Sequence, residues 1–189
     1  SFCYGISLRQ QMAKLRLEHP PGTHFHYASG STQLLSIALE RALDGPTLTE
    51  FLQEMVWTPL QIEYPASWTV DWSKPPLEKT FCCLNGAAGD FAKIGRLYAR
   101  DGDWDGTQIV SKAWLAESTR IDTTKGSIAR YQYQWWRPFE EEDALLAQGL
   151  LGQYIYVDQA RDVVIVRLGH KFGPVRWQDI FRQLAAYYE

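Results

Sequence analysis

The 189-residue chain has the length of one domain built on a single core. Its balance of 46% apolar and 22% charged residues is that of a folded globular protein and excludes a disordered one. A formal charge of −3 with scattered basic residues creates no positive field, so neither nucleic acid nor an anionic membrane is an expected partner. No apolar run approaches the roughly 18 residues that cross a bilayer, and SFCYGISLRQ lacks the basic and apolar regions of a signal peptide. A soluble protein with the cytoplasm as its compartment is expected. Cys3, Cys82 and Cys83 cannot all pair, and neighbouring Cys82 and Cys83 are poor partners for each other, so free thiols are the expected state.

In chain order, Leu8, Met12, Leu15 and Leu17 predict a short helix over 7–17, closed by the rigid turn Pro20-Pro21-Gly22. A second helix follows FHYASGSTQLL. Ser29 or Ser31 is placed to cap it, and Leu35, Ala38, Leu39 and Ala42 recur at helical spacing until Gly45-Pro46. Thr47-Leu48-Thr49-Glu50 has the spacing of a capping box and opens a third helix that reaches Trp57 before Pro59. Residues 61–80 show no period and read as an ordered loop, because Tyr64, Trp68 and Trp72 would be costly to leave in water. Helical spacing returns over 86–100 through Phe91, Ile94, Leu97 and Tyr98. Asp101 to Gly106 begins like a calcium loop, but Lys112 stands where the closing glutamate belongs, so a solvated turn is expected.

A short helix over 111–119 precedes a change of period. Tyr131, Tyr133 and Trp135 alternate with Gln132 and Gln134 as in a strand, with Trp136 turned to the other side. Segments 152–157 and 163–168 are rich in β-branched and aromatic residues and predict a hairpin across Asp158 to Asp162. An amphipathic helix over 175–188 closes the chain. Helices, then antiparallel strands, then a terminal helix define an α+β protein, helices packed on an antiparallel sheet in one domain.

Few residues carry a chemical signal alone. His24 and His26 alternate, but no third ligand stands at motif distance from them, His19 or His170, so no metal is expected. Neither glycine pattern for phosphates or dinucleotides occurs, and no cofactor is expected. The acidic run Glu140 to Asp143 reads as a solvated connection. Tyr27 remains. A phenol is a poor base near neutral pH unless a cation sits beside it, and read alone Tyr27 is a packed aromatic at a helix mouth.

The order of several blocks adds to this. PPGTHFHYASGSTQLLSIALERALDG, LTEFLQEMVWTPLQI, FCCLNGAAGDFAKIGRLYARDGDWDG, YQYQWW and AQGLLGQYIYVDQARDVVIVRLG together resemble the C-terminal portion of the serine β-lactamase-like superfamily. Within it they are most similar to the branch of 6-aminohexanoate-dimer hydrolases and related esterases. The resemblance implies an antiparallel sheet flanked by helices and a mechanism in which a Ser-x-x-Lys serine attacks an acyl carbon. The lysine and a tyrosine of a Tyr-x-Asn or Tyr-x-Ser motif shuttle its proton. That second motif falls on Tyr27-Ala28-Ser29, and the family lysine would lower the pKa of Tyr27.

The third motif of the family, Lys-Thr-Gly or His-Thr-Gly, falls on Gly149-Leu150-Leu151-Gly152, which has no cationic or hydroxyl side chain. The resemblance makes the Leu150 amide an oxyanion donor. It assigns Ser29 and Gly149 to substrate binding, with Trp68, Trp135 and Trp136 as pocket walls. The missing basic residue favours esters or linear amides over substrates with a carboxylate. No serine in the chain has lysine three positions on, so the expectation is a C-terminal piece of a serine hydrolase with its nucleophile upstream, an incomplete fold. The alternative is a catalytically inactive binding or scaffold protein. Uncovered apolar surface would promote self-association or a complementing chain.

Overall fold

The computed structural model describes residues 7–188, so Cys3 lies outside the described residues. The chain forms two compact units, one ending at Gly86 and the other starting at Ala87.

The first unit is mainly helical. α1 (Leu8–Met12) is capped by Ser7, whose hydroxyl accepts from the Gln10 amide, and it is shorter than its apolar pattern implied. α2 (Ser29–Leu43) is the longest helix. Arg9 of α1 grips Glu40 of α2 through two hydrogen bonds of 2.7 Å, which hold the Glu40 carboxyl below its ordinary pKa. α3 (Leu48–Leu52) carries the expected capping box, with Thr47 and Glu50 each bonded to the other's backbone amide. It continues into a π-helical turn, Gln53–Trp57, that seats Trp57 in the core. Two short strands, β1 (Ser67–Trp68) and β2 (Leu84–Asn85), pair antiparallel at the end of the long loop.

The aromatic and cysteine expectations fail in this unit. Trp72 lies on the surface at 83% exposure and Tyr64 is exposed as well, whereas Trp68 is half-buried; around Trp72 the loop is held by a polar anchor. The anchor is Asp71, a buried carboxylate. It accepts from the Leu8 amide at 2.7 Å, the Ser73 hydroxyl at 2.6 Å, and the amides of Leu77 and Ser73 at 2.9 and 3.1 Å. Burial alone would raise the Asp71 carboxyl, but these donors outweigh it and leave its pKa below the ordinary value. The cysteine expectation is also corrected, since Cys82 and Cys83 form a disulfide with each other.

The second unit is a five-stranded antiparallel meander with both faces covered. Its order follows the chain, β5 (Tyr131–Gln132), β6 (Trp135–Trp136), β7 (Ala144–Gly149), β8 (Gln153–Asp158) and β9 (Val163–Arg167). Ahead of it come α4 (Ala88–Ala99), the hairpin of β3 (Asp103–Trp104) and β4 (Thr107–Gln108), and α5 (Lys112–Thr119). Ser111 caps α5, and α6 (Trp177–Ala185) ends the unit. The suspected calcium loop is the Asp105-Gly106 turn of the β3–β4 hairpin, with both residues at positive φ. Tyr131 to Trp135 is not one strand. Tyr133 and Gln134 both take positive φ and turn the chain between β5 and β6, a conformation their side chains disfavour and composition does not signal.

On one face of the sheet Leu146, Tyr154 and Tyr156 pack with Phe139 under Phe181 and Ala185 of α6. On the other, Trp135, Leu145 and Val157 pack against Tyr98 and Ala99 of α4. Gly95 lets α4 come this close, for a Cβ there would sit 3.0 Å from Ile155 Cγ2 and strike Val164. The architecture is the expected α+β class, a mix of helices and antiparallel sheet.

Candidate functional site

Tyr27 stands two residues before α2, at 53% exposure. Ala28 is the N-cap, in extended conformation and without a side-chain cap, and Ser31 donates its amide back to the Ala28 carbonyl at 3.0 Å. Ser29 and Ser31 therefore lie inside the first turn, and neither caps the helix as expected. Ser29 is exposed on the same helix mouth as Tyr27.

The burial of α2 inverts the hydrophobic pattern. Leu35 and Leu39 are 63% and 40% exposed, and Ala38 and Ala42 are exposed with them, while Gln33 and Ser36 are buried. Gln33 works as a peptide group would. Its amide nitrogen donates to the Glu78 carbonyl at 3.0 Å and its oxygen accepts the Thr80 amide at 3.2 Å. The buried Glu78 carboxylate in turn accepts from the Thr49 amide and hydroxyl at 3.0 and 2.7 Å. The start of α2, the 78–80 segment and the start of α3 thus form one hydrogen-bonded frame.

Trp68 is tied inward, its indole N–H shared between the carbonyls of Lys79 and Cys82 at 3.1 Å each. With Leu52, Trp57 and Leu84 it lines a shallow cavity of about 170 Å³ in the first unit.

The remaining sequence-selected residues are in the second unit. Leu150, Leu151 and Gly152 form the turn between β7 and β8, closed by the pairing of Gly149 with Gln153. Leu150 is at its tip, 74% exposed, whereas Gly152 is buried. Trp135 and Trp136 leave β6 on opposite faces. Trp135 is buried against Tyr98, with ring centroids 4.3 Å apart, and Trp136 sits beside the α6 cluster with its ring edge-on to Tyr131 at 4.7 Å.

Two side chains beside the β7–β8 turn had no signal in the sequence. Gln153 donates to the Gly169 carbonyl and accepts the Gly169 amide at 3.0 Å. Arg167 donates to the carbonyls of Gly152 and Lys171 and lies over the Trp177 ring at 3.9 Å. Gln153 and Gly169 are 16 positions apart, and no local period reports such a contact.

Among the described residues no group of three or more His, Cys, Asp or Glu is placed to hold a metal ion, and no helix is long and apolar enough to cross a membrane. The acidic run is spread between two arginines, Asp143 on Arg137 and Glu142 near Arg182.

A helix-flanked antiparallel sheet is the mixed fold expected of the family. The chain belongs to the Beta-lactamase family, whose match runs over residues 4–189. A more particular likeness is to the 6-aminohexanoate-dimer hydrolase of Paenarthrobacter ureafaciens, 29% identical over 158 residues that cover 76% of this chain and 38% of that one. A solved Bacillus anthracis structure, provisionally assigned as a 6-aminohexanoate-dimer hydrolase, is 25% identical. It superposes with a TM-score of 0.82 over 95% of this chain and 48% of its own. A β-lactamase from Mycobacterium bovis shares the fold at 19% identity, with a TM-score of 0.67 over 90% of this chain and 66% of its own. The chain therefore spans less than half the length of the 6-aminohexanoate-dimer hydrolases it resembles.

Proposed function

We propose that the protein is a serine hydrolase that cleaves an ester or a linear amide through an acyl-enzyme. In this reading Tyr27 transfers the proton of a serine contributed by a segment upstream of this chain, and the Leu150 amide stabilises the oxyanion. The observation that carries the reading is Tyr27-Ala28-Ser29 at the exposed mouth of α2, in a chain of the Beta-lactamase family. The absence of a basic side chain from Gly149 to Gly152 in the β7–β8 turn favours a substrate without a recognised carboxylate.

A fluorophosphonate probe tests this. The gene-length protein should be labelled at a serine outside these 189 residues and the isolated chain should not. Tyr27→Phe should slow labelling of the gene-length protein about 100-fold or more, the scale of lost acid–base catalysis. Labelling at a serine within this chain, or an unchanged rate in Tyr27→Phe, would refute the assignment. A gene-length protein that takes no label at all would favour the inactive binding protein. We further propose that the uncovered apolar face of α2 receives another polypeptide surface, which for the isolated chain is a second copy.

A further inference from the structure

We propose that Arg167 and Gln153 are positioning residues that fix the β7–β8 turn and so aim the Leu150 amide; this rests on the hydrolase reading of that amide. The turn does not hold itself. Leu151 has φ 61°, in the left-handed region that side chains with a β-carbon disfavour, and Gly152 follows at φ 83°. Leu150 and Leu151 are both exposed, so neither contributes packing that would select this conformation. A strained tip persists only where its surroundings over-determine it.

Those surroundings are the segment that leaves β9. The regular β8–β9 ladder ends at the pairing of Tyr154 with Arg167. Beyond it, the carboxamide of Gln153 exchanges two hydrogen bonds with Gly169, one more rung made by a side chain in place of backbone. Arg167 binds the turn from the same side. Its two terminal nitrogens are engaged with backbone carbonyls, one with Gly152 inside the turn and one with Lys171 beyond it, at 3.2 Å for Lys171. Trp177 of α6 supports the guanidinium face at 3.9 Å. Glycine at 169 is required, since a Cβ there would lie 2.9 Å from the Leu151 carbonyl and strike the guanidinium.

The planar fork of arginine reaches two carbonyls at once, which a lysine ammonium on the same stem does less well. An oxyanion donor works by being held in place before charge develops, so its supports act on the turnover step more than on binding. Arg167 therefore tunes the reaction through the backbone, with its charge turned to carbonyls rather than to a substrate carboxylate.

The test compares wild-type, Arg167→Ala, Arg167→Lys and Gln153→Ala forms of the gene-length protein, with p-nitrophenyl butyrate as the probe and hydrogen exchange read residue by residue. Both alanine variants should lose kcat at least tenfold with KM within twofold, and Arg167→Lys should fall between. The amide of Gly169, which the Gln153 carboxamide accepts, should exchange at least tenfold faster while those of Ile155 to Val157 keep their protection. A Gly169 amide that stays protected would overturn the clamp. Lost protection with kcat within twofold of wild type would overturn its catalytic role. Should the wild-type protein hydrolyse no ester, the hydrolase reading is what fails, and the exchange data still decide whether these side chains hold the turn. Should Arg167→Ala not fold, Gln153→Ala carries the same comparison.

Discussion

Replacing Asp71 with asparagine tests the claim that one carboxylate organises the long loop of the first unit. Its two oxygens accept four hydrogen bonds, Oδ2 from the Leu8 amide and Oδ1 from Ser73 and Leu77. Asparagine keeps the shape but turns one acceptor into a donor, so in either amide orientation an N–H faces another N–H. In the less damaging orientation only the Leu8 contact fails. That loses a charge-assisted bond of about 1.5–3 kcal/mol and strands the amide of the fully buried Leu8, for a total of about 3 kcal/mol. Urea unfolding followed by tryptophan fluorescence should report that loss, with hydrogen exchange locating it at Leu8. The pH dependence follows from the depressed carboxyl pKa. Its contribution is complete above the unfolded value, about 3.9, and disappears as pH falls through the lower folded value, so Asp71→Asn should flatten that part of the acid limb. A destabilisation under about 1 kcal/mol, or unchanged protection at Leu8, would refute the anchoring role.

Three other outcomes are expected. Gly95→Ala gains about 1 kcal/mol of helix propensity but forces a methyl into Ile155 and Val164, so overpacking should win and the second unit should lose about 1–2 kcal/mol in the same unfolding assay. The Tyr156 hydroxyl is buried without a hydrogen-bond partner among the described residues, and desolvation, then nearby Asp158 and Glu142, push its pKa up to about 12. Tyr156→Phe should therefore stabilise by about 1 kcal/mol, and the loss of stability that wild type suffers as pH rises from about 10 towards 12 should shrink. Leu35→Glu combined with Leu39→Glu should abolish self-association of the isolated chain in sedimentation velocity, and a wild-type chain that sediments as a monomer would remove the premise.

Where local chemistry decides the structure, the sequence could be read directly. The Thr47–Glu50 capping box, the β8–β9 hairpin and the extents of α4 and α5 all rest on groups a few residues apart. Contacts between distant residues were opaque. β7 went unseen beside the acidic run, because its partners are other strands and its own pattern of small and apolar residues is weak. The Tyr133-Gln134 turn was read as strand, since nothing but the tertiary fold asks those residues for positive φ. The apolar stripe of α2 is legible as helical spacing but its exposure is not, for periodicity tells which face seeks cover and not whether this chain supplies it. At the site, a three-residue motif marked Tyr27 and Ser29, whereas Gln153 and Arg167 carry no motif and became visible only through their partners.

The buried Gln33 also acts as a ruler. It lies six positions after Tyr27, and its carboxamide is held by backbone on both sides, at Glu78 and Thr80. An inserted or deleted residue between them would turn the start of α2 by about 100° relative to those anchors, because each helical residue advances the phase by that angle. Substitutions in Ser29 to Thr32 leave this phase intact, but changes of length do not. The spacing from Tyr27 to Gln33 therefore sets the direction in which the phenol faces, independently of which side chains lie between them.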